Sequence, residues 1–322
     1  MLDYFGLKVG WREIIRRTVK ETLKDDAQGL AAQLAYYFFL SLFPTLLCLL
    51  ALASLFPLQN LVDDVTRLLA PVMPQDAVGI IREQMLKIAD RDDTALLSAG
   101  ILAALWSSSA AMGALVNAMN RAYDIEEGRP WWRVRIVAIL LTIGLAIFTL
   151  IALTLVLAGP EMADLAARWF GMPRIWALAW SIVQWPLVFA LVSVAIALIY
   201  YFGPDADQEW VWITPGSIVA ATLWVVASLG FRYYVVTVGN YAESYGTLGG
   251  VIVVLLWFYL SGLALVVGAE VNAEIEHASP WGKDPGEKVP GEKRKVGGAA
   301  ARLFHWRHRK PPPPLAPPAS LR

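Results

Sequence analysis

Two groups of polar side chains lie at the ends of long apolar stretches, where a polar side chain is unfavourable unless it has a structural or functional role. In the first group Asn117, Asn120, Arg121 and Asp124 lie at i, i+3, i+4 and i+7, so a helix would place them on one face. Amides inside a membrane helix are costly unless they are paired. The group is either a cluster that contacts a substrate or an ion, or hydrogen-bonding glue between helices with an anchor at the membrane interface.

The second group ends the last apolar stretch, where Glu270 and Glu274 share a helix face and Asn272 lies between them. Acidic side chains at the C-terminus of a helix oppose its dipole, so a cation should offset them. Arg121 and Arg129 are the candidate cations. An acid at this depth is either a functional group or one half of a structural ion pair, and the sequence leaves both open.

Two prolines, Pro44 and Pro186, occur at similar depths of the first and fourth apolar stretches. If the chain were an inverted repeat of three plus three helices, they would be candidate helix breaks of the kind that mark transporter binding sites. A chance coincidence is the simpler explanation of the pair.

The residues that metal, cofactor or hydrolase chemistry needs are not grouped in this sequence. The three histidines, His277, His305 and His308, lie at or beyond the end of the last apolar stretch, and the single cysteine, Cys48, lies in the first. No metal-ligand cluster, phosphate-binding glycine loop or Gly-x-Ser-x-Gly motif occurs. We therefore expect no cofactor and no enzymatic activity, and the net charge of zero suggests no nucleic-acid partner.

All charged residues lie outside six long stretches, of which the shortest holds 22 residues, and about 20 suffice to cross a bilayer as a helix. The sequence therefore predicts an all-α, polytopic membrane protein and excludes a soluble two-domain enzyme or a β-barrel. The predicted transmembrane domain covers residues 29–276, with spans at about 30–56, 95–119, 136–159, 175–202, 211–231 and 246–269.

The distribution of Lys and Arg predicts the orientation. The termini and the segments after spans 2 and 4 carry 20 of these residues, and the segments on the other side carry 7. Positive charge stays in the cytoplasm, so both termini should lie there. The segment 57–94 then lies outside, and the apolar periodicity in it predicts an external helical loop over residues 61–90.

The regions that flank the spans have different characters. Residues 1–28 should form a cytoplasmic amphipathic helix that either lies on the anionic leaflet or packs under the bundle. Residues 277–322 are basic and proline-rich, which predicts a disordered cytoplasmic tail. In span 2, small residues recur every four positions from Ala99 to Ala111, which predicts that this helix is central and closely packed.

Several stretches resemble the YihY / virulence factor BrkB family of bacterial inner-membrane proteins, and the resemblance covers roughly residues 20–278. The stretches that carry it are Ala31–Pro44, Leu105–Ser109, Asn117–Tyr123, Tyr241–Gly250, Leu256–Ser261 and Gly268–Asn272. Members have carried the label of ribonuclease BN, which is regarded as a misassignment. Some are associated with serum resistance or with envelope lipid export, so the resemblance implies a transport role.

Two functions are compatible with these features. The first is a transporter or flippase of a lipid-like envelope component, with membrane lipids as its partners and a polar cavity among spans 1, 2, 4 and 6 near Asn117, Asn120 and Glu270. The second is a scaffold that transports nothing, binds envelope-biogenesis partners and has a filled bundle. A ribonuclease would follow from the old label alone, and the oligomeric state is open.

Overall fold

The structure, a computed structural model, describes residues 10–53, 66, 78–79, 82–83, 94–157, 173–238, 247–280 and 282–290. Within these ranges the regular structure is helical throughout, without strands, as the sequence predicts. The long helices are α1 (Trp11–Lys24), α2 (Ala27–Ala53), α3 (Thr94–Ala122), α4 (Trp131–Leu157), α5 (Pro173–Phe202), α6 (Trp210–Val238) and α7 (Thr247–Ala278).

Helices α2 to α7 form a closed ring. Each helix packs against the next along the chain, and α7 packs against α2 to close it. Helix α7 also contacts α3 across the ring and carries α1 on its end. The prediction that span 2, here α3, is the central helix is therefore wrong. Helix α7 takes that place because its small residues, Gly262 and Gly268 among them, bring it against α2 on one side and α6 on the other.

Four of the helices are long and apolar enough to cross a membrane. These segments are Trp131–Val156, Ala179–Phe202, Trp210–Val235 and Gly249–Ala278, and their mean hydropathy runs from 1.6 to 2.9. They correspond to the third to sixth predicted spans, and α2 and α3 cover the first two. The predicted external loop over 61–90 lies outside the described residues apart from a few positions.

Local breakers end the helices at one common end of the ring. Asp124 ends α3 with a positive φ of 53°, and Pro130 directly precedes α4. Gly203 ends α5, and a Cβ there would lie 2.5 Å from the carbonyl oxygen of Ile199, so the position needs glycine. We call this end the basal end; it comprises α1 and the segments 123–130, 203–209 and 279–290. The opposite halves of the helices form the open end.

The segment 279–290 is folded against the basal end, so the predicted disorder from residue 277 onward is wrong for this part. The buried Lys283 ammonium forms an ion pair with Glu276 (2.6 Å), donates to the carbonyl oxygen of Asp207 (2.8 Å) and contacts Gln208 Oε1 (3.3 Å). The backbone amide of Asp207 donates to the carbonyl oxygen of Lys288 (2.9 Å). We call 279–290 the strap; residues 291–322 lie outside the described part.

Candidate functional site

At the basal end, side chains from α3 and from three connecting segments form a polar cluster that we call the basal clasp: Asn120, Glu127, Arg129, Asp205 and Lys288. The buried Asn120 amide donates to Glu127 Oε2 and accepts from the backbone amide of Asp205, both at 2.8 Å. Arg129 pairs with Glu127 at 2.7 Å, and Lys288 pairs with Asp205. The cluster ties the α3–α4 connection to the α5–α6 connection and to the strap.

The clasp also sets the charge of its central carboxylate. Burial alone would raise the pKa of Glu127, but hydrogen bonds from Arg129 and from Asn120 lower this pKa to about 2 from an ordinary 4.5. Arg129 in turn donates to the carbonyl oxygen of Gly203 at 2.8 Å. Both ends of the Asn120 amide are thus used inside the protein, which supports the structural interpretation of this side chain.

Asn272 joins α7 to α6 in the same way. It is fully buried, accepts a hydrogen bond from the backbone amide of Gly216 (2.6 Å) and donates one to the carbonyl oxygen of Ile213 (3.1 Å). Pro215 lies between these two positions and has no N–H, so the helical ladder of α6 is interrupted here. The Asn272 side chain supplies hydrogen-bond partners for backbone groups at this interruption.

The backbones of α6 and α7 almost touch beside Asn272. A Cβ on Gly216 would lie 2.1 Å from the carbonyl oxygen of Gly268, and a Cβ on Gly268 would lie 2.5 Å from Ala220 Cβ. The Tyr200 hydroxyl of α5 donates to the carbonyl oxygen of Leu265 at 2.7 Å, next to this crossing. Pro215 and Gly216 were not among the site residues predicted from the sequence. Small residues four positions apart, here Gly216 and Ala220, are the same signal that predicted close packing of span 2.

Glu270 and Glu274 lie where α7 meets α1. Glu270 is 1% exposed, and within the described part of the chain its Oε1 atom accepts no hydrogen bond. Asp25 and Asp124 are among the carboxylates whose charges act on Glu270, and Glu21 and Arg17 of α1 act on Glu274. The sequence-predicted acids are thus brought together with acids from two other elements.

The predicted cationic partners of these acids are bound elsewhere. Arg121 contacts Asp25, with 3.4 Å from Nε to Oδ1, and Arg129 belongs to the basal clasp. Asp25 lies between α1 and α2, and burial followed by the charge of Asp124 raises its pKa. The arginines therefore join the helix connections to each other and do not neutralise the end of α7, contrary to the sequence prediction.

Asn117 does not share the environment of Asn120. Its side chain is exposed, whereas that of Asn120 is buried, so the expectation that Asn117 faces inward stays a prediction. Arg121 and Asp124 are exposed as well, and Asp124 lies 3.8 Å from Lys24 of α1. The helical face predicted from i, i+3, i+4 and i+7 spacing is therefore split: Asn120 points into the bundle, and the other three lie at its edge.

The predicted helix breaks do not interrupt their helices. Helix α5 runs continuously from Pro173 to Phe202 through Pro186, and α2 runs from Ala27 to Ala53 through Pro44. The Pro186 side chain is exposed. These two prolines therefore give no support to a repeat with broken helices.

Side chains are packed differently at the open end. On α5, Ile182, Val183, Trp185 and Leu187 are all exposed, by 40% to 62%. Successive residues of a helix turn by about 100°, so these four positions cover about 200° of the helix circumference. Helix α4 likewise exposes residues on two opposite sides between Ile143 and Val156. In this half α4 and α5 therefore leave apolar side chains exposed on more than one side, whereas α6 and α7 remain in contact.

A cleft of about 670 Å³ opens at the outside of the basal end between α4, α5 and the strap. Arg129, Tyr201, Asp205 and Lys288 are among the residues that line it. Asn117, Asn120 and Glu270 do not line this cleft, so the predicted cavity near them stays a prediction. Among the described residues, no group of three or more His, Cys, Asp or Glu is placed to hold a metal ion.

Several membrane-crossing helices, packed in a ring and tied by a polar basal end, define an integral membrane protein of the polytopic α-helical class. The chain belongs to the Virulence factor BrkB family, whose model matches residues 18–292. The resemblance inferred from the sequence motifs is thereby confirmed.

Relatives from several bacteria share most of the chain. It is 36% identical over 248 residues to the ribonuclease-like protein YfkH of Bacillus subtilis (strain 168), covering 77% of this chain and 90% of that protein. It is 26% identical over 264 residues to the UPF0761 membrane protein Smlt0865 of Stenotrophomonas maltophilia (strain K279a), covering 79% of this chain and 58% of that longer protein. A UPF0761 membrane protein of Aeromonas salmonicida (strain A449) is 27% identical, covering 76% and 82% respectively. No solved structure matches.

Proposed function

We propose that this protein is a transporter or flippase for an amphiphilic, lipid-like component of the bacterial envelope. In this proposal α2 to α7 are six membrane spans of the inner membrane, and the basal end with both termini faces the cytoplasm. The excess of Lys and Arg in the segments assigned to that side supports this orientation.

One observation carries the proposal: the ring is sealed at the basal end, whereas in the open half α4 and α5 expose apolar side chains on more than one side. The sealed part contains the buried core of the protein, for example Leu115, Met119, Tyr200 and Ile213, each exposed by 1% or less. A ring that is closed at one end and open at the other matches one state of an alternating-access cycle, in which parts of the bundle rock about a fixed site.

The chemistry of the open half favours a lipid-like substrate. The side chains that α4 and α5 expose there are mostly apolar, including Ile147 and Leu150 of α4 and Ile182 and Val183 of α5. An acyl chain can lie against such surfaces at no cost, whereas an ion or a sugar would lose its hydration there. The buried amides Asn120 and Asn272 are occupied by helix contacts, so the proposed route does not pass along them.

The proposal is tested by lipid translocation in liposomes that contain the purified protein. Fluorescent phospholipid should cross faster than in empty liposomes, measured by quenching the outer leaflet with dithionite. A Cβ on Gly144 of α4 would meet nothing within 4 Å, so Gly144→Trp should fill space at the middle of α4, where the open half begins, and slow translocation without changing the melting temperature. The control is Gly113→Trp, which also points into open space but lies in the basal half of α3.

The same assay decides between transport and the scaffold alternative. Translocation at the rate of empty liposomes, with folded protein, would contradict the transporter and leave the scaffold. Equal slowing by Gly144→Trp and Gly113→Trp would contradict the open half as the route. The ribonuclease-like wording belongs to the Bacillus relative and is not part of this proposal.

A further inference from the structure

We propose that α1 is a binding site for anionic phospholipid headgroups and for the interfacial layer of the membrane that surrounds the bundle. This inference concerns the partner of one helix and does not depend on whether the protein transports a lipid. It rests on three separate faces of α1 and on the position of this helix relative to the aromatic residues of the basal end.

The first face of α1 fixes the helix to the bundle. Ile14 and Thr18 are buried, and Ile14 packs with Trp212 of α6 and Ile275 of α7. Asp25, at the end of the helix, is also buried and contacts Arg121. These contacts hold α1 in one rotation about its axis, so the directions of its remaining side chains are defined.

The second face is apolar and uncovered. Trp11, Ile15, Val19 and Leu23 recur every four residues and are exposed by 41%, 60%, 54% and 69%. On an ideal helix this stripe is centred about 100° from the buried face, so it points sideways from the bundle and not into it. A continuous stripe of four large apolar residues on a helix end is unfavourable in water and is typical of helices that lie in the membrane interface.

The third face is cationic and borders the apolar stripe. Arg12, Arg16 and Lys20 follow the stripe around the helix, and all three are exposed. Arg16 is paired with Glu13 at 2.9 Å, whereas within the described part of the chain Arg12 and Lys20 form no ion pair. Cations beside an apolar stripe are complementary to a surface that presents phosphates above acyl chains, and this complementarity identifies anionic lipid as the occupant.

The position of α1 relative to the membrane surface agrees with bound anionic lipid. Trp131 and Trp132, at the start of α4, and Trp210, at the start of α6, are exposed at the basal end. Exposed tryptophans at the ends of membrane helices mark the headgroup level. Ile14 packs on Trp212, two residues from Trp210, so the apolar stripe of α1 lies at that level beside the bundle.

The test uses the full-length protein with Cys48→Ser as the parent and a single spin-labelled cysteine. Ile15→Cys reports on the apolar stripe. Val289→Cys is the matched control, because Val289 is also an exposed apolar residue of the basal end, 42% exposed in the strap. Collision of the label with oxygen, which concentrates in lipid, is compared with collision with a water-soluble nickel complex. The vesicles contain phosphatidylcholine alone or with phosphatidylglycerol.

We expect the oxygen-to-nickel ratio at position 15 to exceed that at position 289 and to rise further with phosphatidylglycerol. Replacing Arg12 and Lys20 by Gln in the Ile15→Cys protein should remove this further rise and leave the ratio in phosphatidylcholine unchanged. A nickel collision rate at position 15 equal to that at position 289 in both vesicles would overturn the proposal. Protection of position 15 from both oxygen and the nickel complex, together with spin–spin broadening, would also overturn the proposal. In that case a second copy of the protein, and not lipid, would cover the stripe.

Discussion

The basal and open halves of the bundle consist of the same helices and are both apolar, yet their side chains pack differently. In the basal half Gly216 and Gly268 bring two backbones together, and Asn272 joins them by hydrogen bonds. In the open half large residues such as Ile182 and Trp185 are exposed. Lipid tails are as apolar as leucine, so apolar surface alone gives membrane helices no reason to associate. Small residues and paired polar groups therefore hold the α6–α7 crossing together, whereas the open halves of α4 and α5 expose their apolar side chains.

The largest effect is expected from the ion pair under the strap. Lys283→Met leaves Glu276 buried without its cation, and removal of one partner of a buried pair costs about 3–5 kcal/mol. The melting temperature in detergent should fall strongly. As a control, Arg232→Met removes an exposed cation in the open half of α6 and should leave the melting temperature unchanged. Equal melting of the two variants would show that the strap contributes nothing to the packed half.

The second effect compares two glycines of one helix. Gly216→Ala places a methyl group 2.1 Å from the carbonyl oxygen of Gly268, which must force α6 and α7 apart at a cost of about 3 kcal/mol. Gly230→Ala, in the open half of α6, meets nothing within 4 Å and should not destabilise the protein. Thermal unfolding of both variants measures the difference; similar losses would remove the distinction between the halves.

The third effect compares two amides of one helix. Asn120→Ala leaves the backbone amide of Asp205 without its acceptor and should lower the free energy of unfolding by about 1–2 kcal/mol. Asn117→Ala changes an exposed side chain of the same helix and should have little effect. Chemical unfolding in detergent gives both values. A greater loss for Asn117→Ala would contradict the assignment of Asn120 as the structural amide.

The smallest effect is a dependence on pH. The folded protein lowers the pKa of Glu127 to about 2 from 4.5, so this group stabilises the fold above pH 4.5, and the contribution is lost as the pH falls towards 2. Glu127→Gln should reduce the loss of melting temperature over that interval. Glu126→Gln, on an exposed neighbour, should keep the wild-type profile. An unchanged profile in Glu127→Gln would show that the clasp does not depend on this charge.

The helices could be predicted from the sequence because the absence of charge over 22 or more residues is a local property. The environment of each polar residue could not be predicted from the sequence, because it depends on how each helix is rotated about its axis relative to its neighbours. Asn117 and Asn120 have the same side chain in the same helix, and one is exposed while the other is buried. The strap could not be predicted from composition either. Its sequence is typical of a disordered segment, but Lys283 forms an ion pair with one particular acid, Glu276.

The strap determines where mechanical load enters the bundle. Residue 291 follows directly after a segment whose Lys288 is bound to Asp205 of the α5–α6 connection. Tension on the remaining C-terminal residues would therefore act first on the α5–α6 connection. It would reach the end of α7 only after the contacts of the strap had been broken. A tag, a partner or a surface attached there would act on the junction between two neighbouring helices, and α7 would be shielded from it.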